Sequence, residues 1–137
     1  MLYRVTKVLD GDTLVVSVSG HEVTIRLIGL DTPEVVDPRK PVQCYGEEAS
    51  AQARELLLGK EIYLEKEKTK GKYDQYGRVL AYAHFSDGGL YNHHMIQNGF
   101  AREYTFKREK YKYQKEFKEA QKEAQKQKIG LWSVCPI

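Results

Sequence analysis

The stretch Thr13-Leu14-Val15-Val16-Ser17-Val18-Ser19-Gly20-His21-Glu22-Val23-Thr24-Ile25-Arg26-Leu27-Ile28-Gly29-Leu30 decides the fold. Residues 13–18 are rich in β-branched side chains, which suit a pleated, half-buried strand. Ser19-Gly20 supplies a hairpin turn. Beyond it Val23, Ile25 and Leu27 alternate with Thr24, Arg26 and Ile28, so a strand over 22–30 presents one set on each face. Gly29 interrupts that pattern, as Gly11 interrupts the approach to residue 13, and each marks a bulge, a bend or a tight turn.

Working outward, residues 3–8 alternate as another strand. After residue 30, Pro33, Pro38 and Pro41 mark an irregular loop ending near Tyr45-Gly46. Residues 47–58 read as a helix: acids fill its first turn, Ala49, Ala53, Leu56 and Leu57 form its apolar face, and Gly59 stops it. Residues 61–68 form a strand with Ile62 and Leu64 inward, 70–77 a charged loop, and 78–85 a strong strand closed by Ser86-Asp87-Gly88-Gly89. Residues 92–98 form a short helix with Gly99 as its left-handed terminator and Phe100 making the accompanying apolar contact. A last helix spans 110–128, its stripe of Tyr113, Phe117, Ala120 and Ala124 packing inward and its many Lys and Gln residues facing solvent. Trp132 is expected to anchor the end of that helix on the rest of the fold. Five strands, one helix between the third and fourth, and further helices after the fifth give an α+β architecture over residues 1–137. It is a five-stranded Greek-key β-barrel (an OB-fold) with three packed helices, forming a single domain whose open face suits oligonucleotides.

The chain has 137 residues, 41% hydrophobic and 30% charged, which is too apolar for disorder and enough to bury one core. No apolar run approaches the roughly 18 residues of a membrane helix. The start Met1-Leu2-Tyr3-Arg4-Val5 lacks the features of a signal peptide, although a removed leader would leave the same sequence. A net charge of +3 permits a nucleic-acid partner without requiring one. Cys44 and Cys135 lack the close ligand spacing of a zinc site and are either free thiols or one bridge.

Three segments put charge where a fold does not need it: Asp10-Gly11-Asp12-Thr13, Arg26-Leu27-Ile28-Gly29-Leu30-Asp31-Thr32-Pro33-Glu34, and Asp74-Gln75-Tyr76-Gly77-Arg78. Singly they read as a turn, a helix cap and a hairpin corner. Together they supply carboxylates from Asp12, Asp31 and Glu34. If these converge, their repulsion calls for a cation among them. All-oxygen ligation selects a hard ion, and mixed carboxylate, carbonyl and water ligands suit Ca²⁺ better than Mg²⁺. Arg26 and Arg78 add two permanently charged forks for phosphate oxygens. A cation with two arginines is what attack on a phosphodiester requires. His84, His93 and His94 offer no comparable case for catalysis or metal binding.

These three segments resemble the signature blocks of the staphylococcal nuclease family in order and spacing. The likeness continues through Cys44-Tyr45-Gly46-Glu47-Glu48-Ala49, Leu80-Ala81-Tyr82, Asn98-Gly99-Phe100-Ala101-Arg102 and Gly130-Leu131-Trp132-Ser133. The resemblance implies that Asp12 and Asp31 ligate Ca²⁺ through carboxylates and Thr32 through its main-chain carbonyl, with Asp10 supporting them. It implies that Glu34 acts on the attacking water, and that Arg26 and Arg78 bind the scissile phosphate and stabilise its transition state. Tyr76 and Tyr104 would contact the nucleotide. The implied substrates are single-stranded DNA, duplex DNA that breathes, and RNA, cut on the 5′-oxygen side to leave 3′-phosphates. Phe106 stands where the family often has a second tyrosine, and Gln75 where a lysine contacts a terminal phosphate. A subset of bacterial relatives carries both cysteines, which favours a Cys44–Cys135 disulfide. Relatives of this kind are often exported, and a monomer without membrane contact is expected. The rival readings are a catalytically inactive module of the same fold, binding nucleic acid or protein, and a plain single-strand-binding barrel.

Overall fold

A computed structural model describes residues 1–35 and 43–136; Pro38 and Pro41 of the expected loop lie outside the described residues. The strands are β1 (Leu2–Asp10), β2 (Thr13–Val18), β3 (His21–Leu27), β4 (Leu30–Asp31), β5 (Glu61–Glu65), β6 (Val79–Phe85) and β7 (Arg102–Glu103). The helices are α1 (Gly46–Leu57), α2 (Tyr91–Gln97), α3 (Gln114–Gln127) and α4 (Leu131–Val134). The five long strands close a barrel in the order β1-β2-β3-β6-β5. All its contacts are antiparallel except β3–β6, whose parallel pairing sets Arg26 beside Leu80. This is the expected five-stranded barrel with three substantial helices packed outside it.

β1 pairs with both β2 and β5, and its register slips between Val5 and Lys7 and again between Val8 and Asp10. Extra residues of this kind bend a strand and tighten its twist, which lets one strand serve two neighbours. Leu14, Val16, Ile25, Leu27, Ile62 and Ala83 fill the core from the barrel side, and Ala49, Ala53 and Leu57 seal it from α1.

Gly29 ends β3. Its φ is +84°, and a β-carbon there would lie 2.7 Å from Phe117 and 2.8 Å from Tyr111, so only glycine fits. The chain turns and enters the two-residue β4, which pairs with β7. The strand expected over 22–30 is therefore two strands with a turn at Ile28-Gly29.

The last helix begins at Gln114, four residues after the expected start. The reason lies in two carboxylates. Buried Glu67 accepts the Lys112 amide at 2.7 Å together with the hydroxyl of Tyr82. Glu65 accepts the Tyr113 hydroxyl at 2.6 Å and Lys112 Nζ at 2.6 Å. These bonds hold residues 111–113 as a turn against β5 and β6, and Tyr113 reaches the core edge-on to Tyr82, ring centroids 4.7 Å apart. At the C-terminal end Leu131, not Trp132, is the buried anchor, and its amide donates to the Gly99 carbonyl at 2.9 Å. Trp132 is half-buried beneath the Arg102 guanidinium, 5.2 Å from the ring centre. A disulfide joins Cys44, before α1, to Cys135, after α4.

Candidate active site

The loop between β1 and β2 delivers two acids. Asp10 Oδ1 accepts the Asp12 amide at 3.1 Å, a tight turn that fixes both. Asp12 is buried; its Oδ1 accepts the Thr13 hydroxyl at 2.9 Å and its Oδ2 the Thr32 amide at 3.1 Å. Asp12 thus ties the first acidic segment to the second. Below the loop, the fully buried Tyr91 donates its hydroxyl to the Gly11 carbonyl at 2.6 Å.

Arg26 comes from β3, and the turn at Gly29 folds back over it. Its Nη1 donates to the carbonyls of Leu27 at 2.7 Å and Leu30 at 3.0 Å. Its Nη2 lies 3.7 Å from Asp12 Oδ2 and 3.9 Å from Asp31 Oδ1. The sequence places Asp12 and Asp31 far apart, and the structure brings them together at one guanidinium.

Burial and the two neighbouring charges split the acids. Burial pushes Asp10 up to about 7, helped by its hydrogen bond to Asp12 and the Asp12 charge. For Asp12 burial acts upward as well, but Arg26, Asp10 and the Thr32 amide outweigh it and hold the group below the usual carboxylate range. Asp31 is raised by burial and by the Asp12 charge, with Arg26 opposing. Carboxylates pushed apart in this way are frequent at functional sites.

Beside Asp12, Thr32 Oγ1 is buried with no hydrogen-bond partner among the described residues. The carboxylates of Asp12 and Asp31, of differing exposure, offer oxygen donors alone, a chemistry that fits a hard divalent cation and not a soft metal. Glu34 stands exposed two residues beyond Thr32. Among the described residues no three His, Cys, Asp or Glu side chains are gathered to hold a metal, so Asp12 and Asp31 meet as a pair and Glu34 stands outside it. The Glu34 backbone is held on both sides by Gln43: its amide donates to Gln43 Oε1 at 2.8 Å, and its carbonyl accepts the Gln43 amide at 3.0 Å.

Arg78 enters from the turn before β6. Asp74 Oδ1 accepts the amides of Tyr76 and Arg78, each at 2.9 Å, while Oδ2 takes Arg78 Nε at 2.7 Å. Gly77 closes this turn with φ +79°. Asp74 is held below the usual range, since burial is outweighed by the bonds from Arg78 and Tyr76. The Arg78 guanidinium lies 5.3 Å from the Tyr76 ring centre, and Arg26 lies 5.8 Å from that of Tyr104. All four residues line one cleft of about 620 Å³, with Lys70, Tyr73, Phe106 and Lys107 also on its walls. Tyr76 is 73% exposed and Tyr104 42%, so both rings are free to meet a ligand.

Two residues that shape the site, Asp74 and Gln43, have no assigned role in the sequence pattern. An Asp at the head of a turn that ends on an arginine is a usable signal for the first, because Asp side chains bond the backbone amides that follow them. Nothing in the pattern marks the second. His84 pairs with Glu65 and His94 with Gln52, away from the acids and arginines.

The family model described as "Staphylococcal nuclease homologue" matches residues 24–134. The chain is 43% identical over 131 residues to the thermonuclease of Staphylococcus hyicus, covering 96% of this chain and 75% of the relative. It is 39% identical over 130 residues to the thermonuclease of Staphylococcus intermedius, covering 95% and 75% respectively. Endonuclease YncB of Bacillus subtilis (strain 168) is 35% identical over 127 residues, 93% of this chain and 59% of the relative.

Proposed function

The chain belongs to the staphylococcal nuclease family and is a nuclease, and from that premise we propose that it is a Ca²⁺-dependent phosphodiesterase acting on DNA and RNA. It cuts the bond between phosphorus and the 5′-oxygen, internally and from ends, to leave a 3′-phosphate and a 5′-hydroxyl. The observation that carries this reading is the pair Arg26 and Arg78 on one cleft, with Arg26 also facing Asp12 and Asp31.

In this reading the carboxylates of Asp12 and Asp31 and the main-chain carbonyl of Thr32 would hold the ion, and Asp10 keeps Asp12 in place. Bound there, Ca²⁺ would supply positive charge beside the phosphate oxygens and make a nearby water easier to deprotonate. Glu34 orients a water and accepts its proton as the water oxygen bonds to phosphorus. The phosphorus–5′-oxygen bond breaks, and the leaving oxygen takes up a proton from solvent. Arg26 and Arg78 donate to the non-bridging oxygens, whose negative charge is greatest in the transition state. Arg78 has Nε committed to Asp74, leaving its two Nη groups to grip phosphate as a fork. Tyr76 and Tyr104 take the base and sugar. Stacking on such rings stabilises binding by about 1–3 kcal/mol per base without reading sequence, which supports action on single strands, breathing duplexes and RNA alike.

The reading extends to setting. Disulfides persist in oxidising compartments, so the Cys44–Cys135 bridge supports an exported protein. No described helix is long and apolar enough to cross a membrane. In this reading the protein acts as a monomer.

Incubation of single-stranded DNA and RNA oligonucleotides with the protein in millimolar Ca²⁺ or in chelator, followed by end-group analysis, tests the proposal. Cleavage in Ca²⁺ alone with 3′-phosphate ends is expected. Intact substrate in Ca²⁺, equal cutting in chelator, or 5′-phosphate ends would each refute it.

A further inference from the structure

We infer that Gln43 is a positioning residue for Glu34, and that the Cys44–Cys135 disulfide holds Gln43 in that task, so that the cleavage rate follows the thiol–disulfide state of the chain. The inference rests on the role given to Glu34 above.

Glu34 is exposed. Its backbone is held by the fold. Gln43 grips it with two hydrogen bonds, the side-chain Oε1 taking the Glu34 amide at 2.8 Å and the Gln43 amide donating to the Glu34 carbonyl at 3.0 Å. Gln43 is itself fastened from the other side. Its carbonyl accepts the Gly46 amide at 2.8 Å at the start of α1, and the adjacent Cys44 is bonded to Cys135. Cys135 is anchored in turn through its amide to the carbonyl of buried Leu131 at 2.9 Å. Tyr45, in the left-handed region at φ +70°, packs against Phe100, ring centroids 5.7 Å apart. A continuous strut thus runs from the C-terminal helix through the disulfide and Gln43 to the backbone of Glu34.

The disulfide connects positions 91 apart in sequence, so its loss frees the start of α1 from the end of the chain. A dithiol reductant breaks the S–S bond by passing two electrons and two protons to Cys44 and Cys135. Two thiols result, and the dithiol closes to its own disulfide. The fold keeps its barrel core, but residue 43 loses its covalent tether. A carboxylate that must orient a water is sensitive to this, because a displacement of roughly 1 Å can cost up to about a hundredfold in rate.

The test is a cycle of variants on one single-stranded oligonucleotide in Ca²⁺, with folding at the assay temperature checked by circular dichroism. Gln43→Met removes the Oε1 acceptor at similar length, and Cys44→Ser with Cys135→Ser removes the bridge. Each is expected to lower kcat about tenfold with KM unchanged, and dithiothreitol is expected to bring the unaltered protein to the level of the double serine variant. The same changes are then made with Glu34→Gln. If Gln43 and the disulfide act through Glu34, they have less than about a twofold effect there, because interacting residues are non-additive. An equal fold-loss in both backgrounds assigns the strut a purely structural role and overturns the inference, as does an oxidised and a reduced kcat within about twofold of each other. If Glu34→Gln itself turns over normally, the role given to Glu34 fails first, a result distinct from either.

Discussion

Asp74 holds Arg78 by two bonds at once, its Oδ2 taking Nε at 2.7 Å and its Oδ1 the Arg78 amide at 2.9 Å. The second oxygen also takes the Tyr76 amide, so one carboxylate shapes the turn and aims both cleft residues that leave it. Asp74→Ala is expected to leave the fold intact and to lower kcat/KM about ten- to a hundredfold, as loss of orientation does. Steady-state kinetics on an oligonucleotide decide this, and an unchanged kcat/KM would show that Arg78 finds its place unaided.

Arg26 is bound more tightly still. Its Nη1 is spent on the Leu27 and Leu30 carbonyls, and its Nη2 faces two acids. Arg26→Lys keeps the charge but loses the fork, so it cannot serve the carbonyls, the acids and a phosphate together. A fall of about 10²–10³ in kcat is expected, in line with removal of one preorganised donor. A kcat within a few-fold of the parent would remove Arg26 from the reaction.

Gly29→Ala sets a backbone at φ +84° against a β-carbon and drives that carbon to within 2.8 Å of both Phe117 and Tyr111. Strain and overpacking together are expected to cost about 2–4 kcal/mol, read as a lower urea midpoint at unchanged slope. A midpoint equal to the parent's would mean that β3 does not need its break.

Glu65 gathers Tyr113, Lys112 and His84. Burial would raise it, but those hydrogen bonds outweigh burial and lower it from 4.5 to about 2. The folded state therefore binds the proton less readily than the unfolded chain. Glu65 contributes stability that is fully present above about pH 4.5 and is lost as pH falls through 2. Glu65→Gln is expected to be less stable by about 1–3 kcal/mol at pH 7, with the gap closing in acid. Denaturation across that range checks it, and a gap that widens in acid would reverse the sign.

Much of this was legible in the residues. Alternation over 22–27 and β-branching over 13–18 give the central hairpin, and the acids and arginines stand out because a barrel has no packing use for them. The parallel β3–β6 contact that closes the barrel leaves no trace in either strand's own pattern, and the order of elements points to a barrel without naming that pairing. β4 and β7, two residues each, are too short for any periodicity. The start of α3 was misplaced because Tyr113 fits the apolar stripe by spacing, whereas the Glu65 and Glu67 carboxylates hold residues 111–113 in a turn. Gln43 was invisible for a different reason: its partner is a backbone nine positions away, which no side-chain pattern records.

The central claim is that Asp12 and Asp31, brought together at Arg26, hold one hard divalent ion. Calorimetric titration of the protein with Ca²⁺ tests it most directly, with Asp12→Asn and Asp31→Asn as companions. A single Ca²⁺ site is expected, which either substitution weakens strongly while the barrel stays folded. Ca²⁺ heats that are absent, or that survive both substitutions unchanged, would contradict it.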